Sequence, residues 1–198
     1  MPILDLGCGA SKRRGAIGVD IYPLPDVDLV CDLNRTLPFL DNTIDGVYAS
    51  HVVEHVETFL RFMEDIWRIS KPDAWVRIWT PHFSSGVMTW GDPTHRRAFA
   101  SQTFALLGGG TVHYLPPRFL LKTIRLNLFS DGWCPGKIEL RHRLYIRLGK
   151  WIERIVNRSR ANQLRFERLW CQFFPFSEIY AELVVNKTGS LDPRIHCA

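Results

Sequence analysis

Ile3-Leu4-Asp5-Leu6-Gly7-Cys8-Gly9-Ala10 is the stretch that decides how this chain is read. Its first four residues have the pattern of a short buried strand with one acid inside, and Gly7 and Gly9 follow at once. Glycine lacks a Cβ, so it adopts φ > 0 and lets a ligand lie against the backbone. A strand that stops at a glycine turn marks the carboxyl end of a parallel sheet, where open α/β folds bind ligands. Asp5 speaks to the ligand's charge. An acid on such a turn repels phosphate and suits a cationic amine or sulfonium.

The next segments repeat the theme. Ile17-Gly18-Val19-Asp20-Ile21 reads as a second strand with an acid near its end, placed to accept hydrogen bonds from a ribose diol. The link from Gly9 to Ile17 is too short for the crossover helix that parallel strands normally use, so a clipped turn is expected there. Val27-Asp28-Leu29-Val30-Cys31-Asp32-Leu33 reads as a third strand; Asp32 could accept an adenine amine, with Leu33 packing on the ring, or it could cap a turn. Thr43-Ile44-Asp45-Gly46-Val47-Tyr48-Ala49-Ser50 reads as a fourth strand ending in small residues. Phe59, Phe62, Met63, Ile66, Trp67 and Ile69 then recur at helical spacing, Lys71-Pro72 ends that helix, and Trp75-Val76-Arg77-Ile78-Trp79-Thr80 alternates as a fifth strand.

These residues together resemble a class I S-adenosylmethionine-dependent methyltransferase of the kind called methyltransferase type 11. The resemblance rests on Leu4-Asp5-Leu6-Gly7-Cys8-Gly9, Gly18-Val19-Asp20, Asp32-Leu33, Leu37-Pro38-Phe39 with Asp45, and Ser50-His51-Val52-Val53-Glu54-His55, and it covers roughly residues 3 to 81. It implies a Rossmann-like α/β sheet, mostly parallel with an antiparallel last strand, lacking the usual N-terminal helix. S-adenosyl-L-methionine is the implied cofactor. Asp5, Gly7, Cys8 and Gly9 would line its methionine end, and Asp20, with Ile21 after it, its ribose. Asp32 and Leu33 would frame the adenine, and Ser50 and His51 would sit beside the transferred methyl.

His51-Val52-Val53-Glu54-His55 also fits H-x-x-E-H, in which two helical histidines share a zinc and the glutamate is the base. That metalloprotease reading needs a third ligand, for which Asp92 or Glu139 could be proposed without a reason to choose, and no metal is assigned on it. A cofactor-binding regulator without catalysis is the other alternative.

Beyond residue 81 the sequence stops being generic. Pro81-His82-Phe83-Ser84-Ser85-Gly86 leads into Trp90-Gly91-Asp92-Pro93-Thr94-His95-Arg96-Arg97-Ala98-Phe99, a mixture of aromatic, acidic, imidazole and guanidinium groups uncommon in a plain connector. His82, Asp92 and His95 are the candidate catalytic residues, one of them a general base; the alternative is a capping turn at Asp92-Pro93-Thr94 with a packed His95. The whole chain reads as one domain with a loop and helical insertion at about residues 82–118, including the turn Gly108-Gly109-Gly110. A basic helical segment follows at about 139–174, with helices near 144–156 and 161–174. Residues 123–129 and 179–185 read as the closing antiparallel strands, and the tail from residue 188 as a loose end. The basic segment could cover the sheet face left bare at the start, or meet a membrane surface or an anionic substrate.

Composition sets the outer bounds. With 198 residues, 46% apolar and 23% charged, the chain is ordinary for a soluble domain. A net charge of +5 suits an anionic partner, yet no nucleic-acid-binding module is recognisable. Cys8, Cys31, Cys134, Cys171 and Cys197 are odd in number and lack metal-ligand spacing, which points to reduced thiols and a cytoplasmic protein. The opening residues have no signal-peptide pattern, and no run is apolar and long enough to span a membrane. The expected acceptor is a small molecule, a glycan or a lipid-linked intermediate, with a homodimer and peripheral membrane contact as further expectations.

Overall fold

A computed structural model describes residues 1–108, 115–128 and 140–189, with side chains placed from residue 146 in the last span. Gly109 and Gly110 of the triple glycine, Phe129, Cys134, Glu139, the side chains of Arg141, Arg143 and Leu144, and the tail from residue 190 lie outside it. The strands are β1 (Ile3–Leu6), β2 (Ile17–Asp20), β3 (Leu29–Val30), β4 (Ile44–Ser50), β5 (Ser70–Pro81), β6 (Phe119–Asn127) and β7 (Glu178–Val185). The helices are α1 (Phe59–Ile69), α2 (Gly86–Trp90), α3 (Ser101–Leu106), α4 (Leu140–Val156) and α5 (Arg160–Leu169).

The strands form one sheet in the order β3-β2-β1-β4-β5-β7-β6. The first five are mutually parallel, and β7 inserts antiparallel between β5 and β6. This is the α/β, Rossmann-like sheet expected from the sequence. Its decisive property is that β1 pairs with β2 on one side and β4 on the other. The connections leaving β1 and β4 therefore diverge, and the carboxyl ends of these strands are the place where open α/β sheets bind ligands.

Two strands depart from the sequence reading, and one connection agrees with it. β3 keeps only two of the seven residues read as strand. Asp28 is diverted instead: its carboxylate accepts from the Gly18 amide and pairs with Lys12. The link between Gly9 and Ile17 is helix-free, as its length required. β5 starts at Ser70, earlier than the alternation from Trp75 suggests, because residues 71–74 bulge out between the pairs Ile44↔Ser70 and Gly46↔Trp75. Asp73 in that bulge sits at φ 62°. The helix α1 thus passes into β5 with no loop, and Pro72 falls in the bulge, where proline is tolerated.

The two sheet faces are covered differently. One carries Leu4, Val47, Val76, Ile78, Ile179 and Ala181, all buried, under the apolar stripe Phe59, Phe62, Met63, Ile66 and Ile69 of α1. Phe59, Phe99 and Phe104 extend that core with ring centroids 5.0 to 6.2 Å apart. The opposite face is paved by its own side chains. Tyr48 meets Trp75 edge-on at 4.6 Å, and Trp79 lies 4.8 Å from Tyr180. Guanidinium groups complete the paving: Arg13 stands over Tyr48 and Trp79 at 4.6 and 4.5 Å, and Arg77 over Trp75 at 4.6 Å. Arg13 belongs to the clipped link, so that link lays a cation on aromatic faces where a longer crossover would lay a helix.

The basic helical pair docks elsewhere than over this paved face. Asn157, just past α4, offers its side chain to the backbone of Leu126 in both directions, at 2.9 Å each. Glu153 accepts from the Leu128 amide and Gln163 donates to Ile124 O. These groups cap the C-terminal half of the open edge of β6, which would otherwise be a template for pairing with another chain. No described helix is long and apolar enough to cross a membrane.

Candidate functional site

The glycine turn is built by two acids acting on one loop. The amides of Gly7 and Cys8 both donate to Val19 O, which pins the turn onto β2. Gly9 N donates to Asp20 Oδ2 at 2.9 Å, and Arg13 N to Asp5 Oδ2 at 2.7 Å. Gly7 and Gly9 sit at φ 66° and 56°, the left-handed region that favours glycine. A Cβ on Gly7 would come within 2.5 Å of Val52, so the turn after β1 rests directly on the segment after β4. A Cβ on Gly9 would meet nothing, so that residue borders open space.

The three acids are not equivalent. Asp5 is buried beneath the loop, and its carboxyl is pushed up by burial, against the lowering effect of the Arg13 amide and guanidinium. It accepts from the Arg13 amide and so ties the loop to β1. Asp20, at the tip of β2, accepts only from Gly9 N and Tyr22 N among described groups, and its carboxylate has lone pairs to spare for donors such as a ribose diol. Cys31 N donates to Asp20 O, placing Asp32 at the next tip. Asp32 Oδ1 accepts from Asn34 N, while Asn34 Oδ1 accepts from Glu57 N, so the β3 tip is tied to the segment after β4. Leu33 packs partly into the core and Ile21 is exposed. Burial, then the charges of Asp5 and Asp20, push the Cys8 thiol up. The carboxylates of Asp5 and Asp20 thus act on the turn together with its burial.

His51 is the hinge of the other wall. It takes φ 53° at the end of β4. Its Nε2 lies 2.9 Å from Glu178 Oε1 and its Nδ1 3.4 Å from Glu54 Oε1. Those two acids, Glu178 foremost, push its pKa up to about 9 despite burial. His51 at neutral pH is thus a charged donor and not a base. Glu178, buried at the start of β7, is a site residue that sequence reasoning missed; it lies 127 positions away and nothing local marks it.

The three candidate catalytic residues separate. The His82 ring is fully buried, with Nδ1 2.7 Å from Ser84 Oγ and Nε2 3.0 Å from Glu167 Oε1. Glu167 also accepts from the amide and hydroxyl of Ser101, so His82 and Glu167 staple α3 and α5 to the sheet end. Asp92 caps its own turn, accepting from the amide and hydroxyl of Thr94. His95 leaves that turn to meet His55, ring centroids 4.6 Å apart. The H-x-x-E-H segment is a turn and not a helix. His51 and His55 diverge, the first to Glu178 and the second to Thr94 and His95, which removes the shared-zinc geometry on which the metalloprotease reading depended.

Residues 4–78 match the methyltransferase domain family. No curated protein matches the sequence significantly. Among solved structures, a SAM-dependent methyltransferase from Archaeoglobus fulgidus is similar at TM-score 0.56 and 18% identity, over 92% of this chain and 85% of that one. A SAM-dependent methyltransferase from Mesorhizobium loti is similar at TM-score 0.51 and 14% identity, over 92% and 90%. Geranyl diphosphate C-methyltransferase from Streptomyces coelicolor A3(2), solved with Mg2+, geranyl diphosphate and S-adenosyl-L-homocysteine, is similar at TM-score 0.56 and 12% identity, over 93% and 73%. The fold is therefore that of the class I methyltransferases.

Proposed function

We propose, taking the methyltransferase domain match over residues 4–78 as premise, that this protein is an enzyme that moves a methyl group from S-adenosyl-L-methionine to an acceptor. The observation that carries the reading is the site at the carboxyl ends of β1 and β4. It is floored by a glycine turn, lies in the field of Asp5 and Asp20, and keeps the Asp20 carboxylate open to new donors. A nucleoside that is cationic at its sulfonium and amino groups fits that donor set; a pyrophosphate does not. Gly7, Cys8, Gly9 and Ser50 would border the methionine end, Asp20 and Ile21 the ribose, and Asp32 and Leu33 the adenine. The bound cofactor supplies an electrophilic methyl group. The chain's own contribution is positioning: the loop is fixed by Asp5 and Asp20, and His51 is fixed by Glu178, so little reorganises at the moment of transfer.

The acceptor class we favour is lipid-linked. On α4 and the turn after α5, Leu148, Trp151, Trp170 and Phe173 are exposed, Phe173 at 74%, beside exposed Arg147, Arg154 and Arg168. Tryptophan and phenylalanine amid arginines are the side chains of an interfacial surface. Titration calorimetry with S-adenosyl-L-methionine and S-adenosyl-L-homocysteine tests the first reading, with micromolar binding expected; absence of binding to both removes it. Flotation with anionic liposomes tests the second. Wild type is expected to float and Trp151→Ala/Phe173→Ala to stay behind; a wild type that stays behind at low salt ends the lipid assignment.

A further inference from the structure

The turn after β4 and the loop after α2 bring Glu54, His55 and His95 together, each offering one ligand atom, with all such atoms within 4.8 Å of one another. Their surroundings are arranged as those of ligands usually are. Asp92 is a carboxylate and accepts only, so the Thr94 hydroxyl spends its proton on Asp92 Oδ1, at 2.6 Å. Thr94 Oγ1 is then the acceptor for His55 Nδ1–H at 2.9 Å. His95 Nδ1 lies 2.8 Å from Thr89 O, a carbonyl, and so must also carry its proton. Both imidazoles are thereby held in the tautomer that leaves Nε2 with a bare lone pair, the arrangement that outer partners impose on metal-binding histidines. Glu54 is 1% exposed. Its Oε2 accepts from the Thr80 hydroxyl, while its Oε1 makes no hydrogen bond, the nearest cationic nitrogen being His51 Nδ1 at 3.4 Å. The charge of that oxygen is partly met by the His51 imidazolium, yet it accepts no hydrogen bond and keeps lone pairs for a further cation.

We propose that Glu54, His55 and His95 form a binding site for a divalent transition-metal ion. Two imidazole nitrogens and one carboxylate suit zinc, cobalt, manganese or iron and leave coordination positions open. Ligand atoms of one ion lie at most about 4 Å apart, so binding requires each side chain to close by less than about 1 Å. The location gives the ion a purpose. Val52, two residues before Glu54, is the residue on which Gly7 rests, so the site adjoins the proposed methionine end. The metal site stands independently of the methyltransfer reading. The loop around Asp92, Thr94 and His95 then has a role that a plain connector would not need: Asp92 and Thr94 are positioning residues acting through His55.

The experiment is titration of chelator-treated full-length protein with Co2+, read by the visible ligand-field bands, with S-adenosyl-L-homocysteine binding measured in parallel. The expected result is one ion per chain, with affinity lost at least about 100-fold in His95→Ala and in His55→Ala and weakened about 10- to 100-fold in Thr94→Val. Homocysteine-adduct affinity and the unfolding midpoint should stay near wild type in His95→Ala. Wild type without Co2+ bands, or His95→Ala binding Co2+ as wild type does, overturns the site. Co2+ binding without nucleoside binding would refute methyl transfer and leave the metal site standing, and the converse would do the reverse.

Discussion

Replacing Asp20 by alanine tests the nucleoside site most directly. In the structure its carboxylate holds two amides, Gly9 N at 2.9 Å and Tyr22 N at 3.1 Å. A ribose diol would add two more donors to the same ionised group. Hydrogen bonds to a charged group contribute about 1.5–3 kcal/mol each, so loss of the two ribose bonds alone weakens binding by about 3–6 kcal/mol. At about 1.4 kcal/mol per decade that is at least 100-fold, before any loosening of the Gly7–Gly9 turn. Calorimetry should show this loss equally for S-adenosyl-L-methionine, S-adenosyl-L-homocysteine and adenosine, because all three carry the ribose. Asp26→Ala, at a neighbouring acid with no such place at a strand tip, is the control. A change below threefold in Asp20→Ala refutes the site. A loss confined to the sulfonium compound refutes the ribose assignment and makes Asp20 a charge partner instead.

Three further outcomes follow from the packing. Gly7→Ala should destabilise the fold by about 2–5 kcal/mol, the sum of a left-handed backbone penalty and overpacking against Val52; Gly9→Ala, with open space, should lose only the backbone part, and equal urea midpoints for the two would contradict this. Gly46→Ala puts a Cβ into the Trp75 ring, so it should lower the midpoint and change Trp75 emission, whereas an unaltered spectrum would show that the paved face tolerates displacement. Burial raises the Glu167 carboxyl, but hydrogen bonds from His82 and Ser101 outweigh it and leave the group below the usual carboxylate range. Its folded pKa is depressed, so its contribution is complete above the ordinary value of about 4.3 and disappears as pH falls through the folded value. The stability gap between wild type and Glu167→Gln should therefore be constant near neutrality and close only below about pH 4; a gap that closes near pH 7 would contradict the assignment.

Much of the scaffold was legible in linear sequence because its signals are local. Ile3 to Leu6 ending at Gly7, the period of Phe59 to Ile69, and the alternation of Trp75 to Thr80 are each satisfied within a few residues of themselves. Acids at strand ends could be named for a related reason: strand ends can be counted. The loop from Trp90 to Phe99 was recognisable as unusual, but its residues could not be given roles. His82 lies two positions from Ser84 and 85 from Glu167, and only the longer contact explains its burial. The length of β3 was overread because Asp28 is apolar-flanked in sequence yet is spent on Lys12 and the Gly18 amide.

The sequence by itself determined the succession of strands along the chain, the glycine turn after β1 and the carboxylates placed next to that turn. These depend on backbone freedom at glycine and on carboxylates adjacent in the chain. Tertiary structure alone decided which histidines act together. His51 and His55 share a motif but are turned to different partners, Glu178 and His95, that lie far along the chain. Side-chain chemistry at a site is fixed by what faces each group across the fold, and that is set by sheet order and packing.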